Sequence, residues 1–183
     1  PHLKGHARYG IRAARPASPA LASGTGKMTY FVTGATGFVG RFLVDKLLQR
    51  KGNITVLVRK GSEKRLEAIA ERMGWDRKRI SVVNGDLSKP KLGLTPTQIK
   101  ALTGKVQHFF HLAAIYDLAA DAESQKVANV EGTKHALELA AAIKAGCFHH
   151  TSSIAAAGLT PGVFREDMFE EAEGLQDPYF RTK

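Results

Sequence analysis

The segment TYFVTGATGFVGRFLVDKLL, residues 29–48, constrains the fold more than any other stretch of the chain. Its first five residues are all β-branched or aromatic, the composition of a short strand. Phe38, Phe42, Leu43 and Leu47 then recur at helical spacing. Between the two patterns stand Gly34, Gly37 and Gly40. A strand that passes through a glycine-rich turn into a helix opens a βαβ unit, and such units build parallel sheets.

The rest of the chain repeats the alternation. ITVLV (54–58), ISVVNGD (80–86), HFFHLAA (108–114) and CFHHTSS (147–153) read as further strands. EKRLEAIAERMG (63–74) reads as an amphipathic helix stopped by glycine, and a long Ala-rich helix is expected over 121–145, ended by Gly146. The expected class is α/β, a doubly wound parallel sheet of the Rossmann type, over residues 28–183. Ligands of such sheets bind at the carboxyl ends of the strands, so candidate residues lie just after each strand.

The glycine turn gives the first candidates. Gly34 permits the tight turn, Gly37 lets backbone approach a pyrophosphate, and Gly40 lets helix pack on strand; the helix start offers N–H groups and its positive dipole end to phosphate. The second strand runs into Val58-Arg59-Lys60. An acid there would hold the ribose hydroxyl of NAD, whereas an arginine suits the extra phosphate of NADP. Arg59 is therefore the candidate, with Ser62 and Lys64 or Arg65 as helpers.

Charge sets limits on other functions. The net charge is +10, yet residues 1–27 carry Lys4, Arg8, Arg12, Arg15 and Lys27 and no acid, so half of the excess sits in that stretch. The remainder is mixed with acids, and aromatics are not interleaved with it as a base-stacking surface requires; no nucleic-acid partner is expected. Residues 1–27 resemble a leader in composition but lack the apolar core of a secretory signal, and a disordered extension is expected there. GTGK at 24–27 lacks the Ser or Thr and the first glycine of a phosphate-binding loop. No apolar run approaches the roughly 18 residues that span a bilayer. One cysteine, Cys147, forms no internal disulfide, which fits a reducing, cytoplasmic compartment, and its apolar neighbourhood predicts that it packs inside. His108/His111 and His149/His150 are close pairs, but neighbours and i,i+3 residues of a strand point to opposite faces, so no metal site is expected.

Taken in order, TGATGFVG, Arg59, GDL (85–87), HLAA (111–114), NVEGT (129–133), TSS (151–153) and YFRTK (179–183) resemble an extended short-chain dehydrogenase/reductase over residues 28–183. The stretch GDLSKPKLGLTPTQIKALTGKVQHFFHLAA is similar to the branch that holds fatty acyl-CoA reductases and thioester-reductase domains. The resemblance implies that Gly34, Ala35, Thr36, Gly37, Phe38, Val39 and Gly40 hold the pyrophosphate. It implies that Arg59, with Ser62, reads the adenosine phosphate, that Asp86 and Leu87 flank the adenine, and that Ala113 and Ala114 line the nicotinamide side. Ser153 (Ser152 in the alternative register), Tyr179, Lys183 and Asn129 form the implied catalytic group. Tyr179 donates the proton, Lys183 assists it and holds the nicotinamide ribose, Ser153 holds the substrate carbonyl, and Asn129 supports the network.

The implied function is NADPH-dependent reduction of an acyl thioester to aldehyde or alcohol. The alternatives are a sugar-nucleotide epimerase, dehydratase or ketone reductase on the same fold, and a non-catalytic NADP-binding module. The chain ends at Lys183, so the resemblance implies that a substrate domain lies beyond it. The piece is then expected to be inactive alone, with any homodimer formed by the longer protein. Residues 178–183 are also too few to sustain a helix by themselves.

Overall fold

The computed structural model describes residues 28–50, 52–115, 121–165, 167–168 and 171–182. The extension over 1–27 and Lys183 lie outside the described residues. Five strands, β1 (Thr29–Thr33), β2 (Asn53–Val58), β3 (Ile80–Asn84), β4 (His108–His111) and β5 (Cys147–His150), form one sheet in the order β3-β2-β1-β4-β5. Every pairing is parallel. The order reverses between β1 and β4, the switch point at which doubly wound sheets open a crevice.

Helix α1 (Phe38–Leu48) and helix α2 (Glu63–Met73) cover one face. Alternation along β1 sends Tyr30 and Val32 to that side, where they bury against Val44, Leu47, Ile69 and Trp75. Phe31 points the other way, into a second core with Phe109, Leu139 and Ile143. The carboxyl end of α1 is closed by Arg79, whose guanidinium donates to the carbonyls of Leu48, Arg50 and Gly52. A side chain thus satisfies carbonyls that the helix itself cannot.

Several elements differ from the sequence reading. Strand β4 stops at His111 rather than Ala114, because its partner β1 turns away at Gly34 and takes the ladder with it. Strand β5 ends with it, at His150. The Ala-rich helix is one run with a change of pitch: α4 (Ala122–Gln125), a π-helical segment Lys126–Glu131, and helix α5 (Gly132–Ala142). Helix α3 (Pro96–Leu102) is an additional element, too short for apolar periodicity to mark but carrying its own start signal. Thr95 and Gln98 form a capping box and Pro96 takes the first helical position. Helix α6 (Pro178–Arg181) forms despite its shortness, because Asp177 accepts the Tyr179 N–H at 2.7 Å. Cys147 is exposed, not packed, since it faces out from the start of β5. No helix of the described residues is long and apolar enough to cross a membrane.

Candidate functional site

A groove of about 600 Å³ opens at the carboxyl ends of β1, β2 and β4. Its rim begins at Gly34, where φ is +75° and a Cβ would lie 2.7 Å from the Ala113 nitrogen. Only glycine lets β1 turn there with the β4 loop so near. Behind it, a Cβ on Gly40 would stand 2.0 Å from the Gly34 carbonyl oxygen, so α1 can start this close to the turn only with glycine. Gly37 caps α1 without a side-chain bond, and no acid stands in the first turn. The Gly37 N–H closes the turn onto the Gly34 carbonyl at 3.0 Å, and the positive end of the helix dipole beyond it has no internal acid to compete with an anion.

Of the residues singled out in the sequence, Gly34, Thr36, Gly37, Arg59, Asp86, Leu87, Ala113 and Ala114 line the groove together. Arg65 joins them from α2. Ser62 lines an adjoining hollow with Arg59 and Arg65. Ala35 and Gly40 are buried behind the turn, while Phe38 and Val39 are exposed on the first turn of α1, and none of these four lines the groove.

Asp86 accepts from the Ser88 N–H at 2.9 Å and from the Ser88 hydroxyl at 2.8 Å. These bonds, with Lys89 and Arg59 adding their charge, hold its carboxyl below the usual range. Its own N–H donates to the Leu92 carbonyl at 2.9 Å. Leu92 is fully buried in the second core, yet Lys91 and Leu92 have φ of 52° and 57°. That left-handed turn, which the sequence did not signal, carries the loop back beneath Asp86.

A polar chain underlies the other side. The Ala113 N–H donates to Thr33 Oγ1 at 3.2 Å, and Thr33 Oγ1 lies 2.8 Å from His111 Nδ1. Thr133 Oγ1 lies 3.3 Å from His111 Nε2 and donates to the Asn129 carbonyl at 2.6 Å. The Thr133 proton is committed to that carbonyl, so its oxygen is left to accept from His111 Nε2. His111 is buried, so this relay fixes the floor of the groove at Ala113.

Asn129 sits in the π-helical segment, buried, just past the groove-lining Ala128. Its side chain accepts the Ile115 N–H at 2.8 Å and donates to the Ile115 carbonyl at 3.1 Å and to Thr182 Oγ1 at 3.0 Å. Thr182 in turn donates to the Tyr179 carbonyl at 2.9 Å. Asn129 thus ties α6 to the loop after β4, and Thr182 is a positioning residue that no local pattern marks. Tyr179 is buried, and the half-buried Ser153 accepts the Ala155 N–H at 3.2 Å. Neither lines the groove.

Residues 32–183 match the family model described as male sterility protein. The chain is 36% identical over 166 residues to a linear gramicidin synthase of Brevibacillus parabrevis, covering 83% of the chain and 3% of that protein. It is 36% identical over 143 residues to the L-2-aminoadipate reductase large subunit of Penicillium chrysogenum, covering 72% of the chain and 10% of that protein. Among solved structures, the terminal R domain from the myxalamid PKS-NRPS biosynthetic pathway superposes with a TM-score of 0.75 at 28% identity, covering 87% of this chain and 44% of that one. The chain therefore spans less than half of that domain and a small part of the two curated relatives.

Proposed function

The chain belongs to the family of male sterility proteins, on the extended short-chain dehydrogenase/reductase fold, and on that premise we propose that it binds NADPH for the reduction of an acyl thioester to an aldehyde. Thioester reductase domains and fatty acyl-CoA reductases are its homologues, which supports the thioester over other carbonyls. One observation carries the nucleotide assignment: a single groove gathers the glycine turn, the open start of α1, Arg59 and Arg65. A pyrophosphate suits the α1 amides. A ribose phosphate suits the two guanidinium forks, which bind phosphate better than a sugar hydroxyl. Asp86 and Leu87 then take the adenine, and Ala113 and Ala114 leave room for the flat nicotinamide.

Bound there, the nucleotide supplies a hydride. The protein supplies the rest. Ser153 holds the substrate carbonyl and Tyr179, assisted by Lys183, gives its oxygen a proton. The hemithioacetal so formed then collapses, its C–S bond breaking and its hydroxyl proton passing to the departing thiol, which leaves the aldehyde. Asn129, through Thr182, holds the segment that carries Tyr179 and Lys183.

The test is a fluorescence titration of NADPH and NADH against the chain and its Arg59→Ala variant. Loss of a charge-assisted phosphate contact is expected to weaken NADPH about tenfold to a hundredfold and to leave NADH nearly unchanged. Equal losses would discard the phosphate assignment. For the substrate, the chain fused to the carboxyl-terminal part of a homologous reductase domain should consume NADPH with a long-chain acyl-CoA. Activity on a nucleotide sugar alone would overturn the thioester reading.

A further inference from the structure

The parallel register of β4 and β5 makes a second side-chain cluster, on the sheet face shared with α1 and α2. His108 pairs with Cys147, and Phe110 pairs with His149. Paired residues of neighbouring strands share a face, so His108, Cys147 and His149 project side by side, two of them from alternate positions of one strand. Their ligand atoms all lie within 4.8 Å of one another. His108 Nδ1 is 3.0 Å from His149 Nε2. Both rings are held by their neighbours: His149 stacks on Phe110 with centroids 4.3 Å apart, and His108 stacks on Tyr30 at 6.0 Å. His108 and Cys147 open their strands, at the amino ends of the sheet, so the cluster lies away from the nucleotide groove at the carboxyl ends.

We propose that His108, Cys147 and His149 form a zinc site that pins strand β5 to β4. Two imidazoles and a thiolate are a donor set suited to zinc, with nitrogen about 2.0–2.1 Å and sulfur about 2.3 Å from the ion. Ligands around one such ion stand closer to each other than the span of this cluster, so small side-chain rotations bring them in. A fourth, tetrahedral position is left for water. On binding, the Cys147 thiol releases its proton to solvent. The proton shared between the two histidines moves to the far nitrogen of its ring, leaving a lone pair of each ring facing the ion. The site is structural rather than catalytic, because it turns away from the groove.

The test uses cobalt(II) as an optical stand-in, added to the purified chain with a non-thiol reductant. One equivalent should give the visible bands of a tetrahedral ion and a near-ultraviolet thiolate-to-cobalt band, both removed by one equivalent of zinc. The chain has one cysteine, so the thiolate band reports on Cys147 alone. Cys147→Ser, at an exposed position, should abolish that band, keep the circular dichroism of the fold, and weaken zinc binding at least about tenfold. His108→Gln and His149→Gln should weaken it by a similar factor. A cobalt spectrum lacking the thiolate band would put the ion elsewhere, for example on His2 and His6, and overturn the proposal. Zinc affinity unchanged in all three variants would overturn it as well.

Discussion

The nucleotide side of the molecule and the segment proposed to carry its catalytic residues are held by different forces. Residues 29–94 supply most of one apolar core, and they set Leu57, Leu92 and Leu94 into the other. Over 151–182, only Ala155 and Tyr179 are buried among the described residues, and Ile154 is 95% exposed. Its order comes from polar bonds: the Asp177 cap, and the link from Asn129 through Thr182 to Tyr179. A buried leucine is worth about 2–5 kcal/mol, and a hydrogen bond about 1 kcal/mol net. The nucleotide side can therefore stay firm while the segment over 151–182 yields at a lower cost.

Leu92→Ala should strike the firm side hardest. It empties a fully buried position and releases a left-handed turn that packing holds in place. A loss of about 3 kcal/mol is expected, read as a fall in thermal midpoint of about 6–12 °C. NADPH affinity should fall with it, since the Leu92 carbonyl anchors Asp86. Loss of stability with unchanged affinity would show that Asp86 keeps its place without the turn.

Thr182→Val should touch only the yielding side. Removing the hydroxyl breaks its bonds to Asn129 and to the Tyr179 carbonyl, a local loss of about 1 kcal/mol. Amide exchange over 179–182 should quicken about fivefold, the factor that energy sets, while the thermal midpoint and NADPH affinity hold. A midpoint shift as large as that of Leu92→Ala would mean that the two regions unfold as one, and the contrast between them would fail.

The smallest effect is a dependence on acid. The Asp86 carboxyl titrates lower in the folded chain than when unfolded, chiefly through its bonds from Ser88. Its contribution is therefore fully present above the unfolded value near 4, and it is lost as pH falls through the depressed folded value. Denaturation midpoints measured between about pH 5 and 3 should slope downward a little less in Asp86→Asn than in the parent chain. Identical slopes would mean that the Ser88 bonds do not outlast exposure to solvent.

Local pattern alone determined the βαβ succession, the glycine turn and the placing of Arg59 and Asp86 after their strands. Each of these depends on residues a few positions apart, where side-chain period and glycine geometry act directly. The capping box before α3 was equally local. Only tertiary structure decided the rest. The left-handed turn at Lys91 and Leu92 exists because a core is there to receive Leu92. The tie between Asn129 and Thr182 spans 53 residues and leaves no periodic trace. The gathering of His108, Cys147 and His149 follows from the register of two strands, while each strand read singly sends its neighbouring histidines to opposite faces. Register between distant strands is set by what the two faces bury together, and that information is spread over the whole sheet.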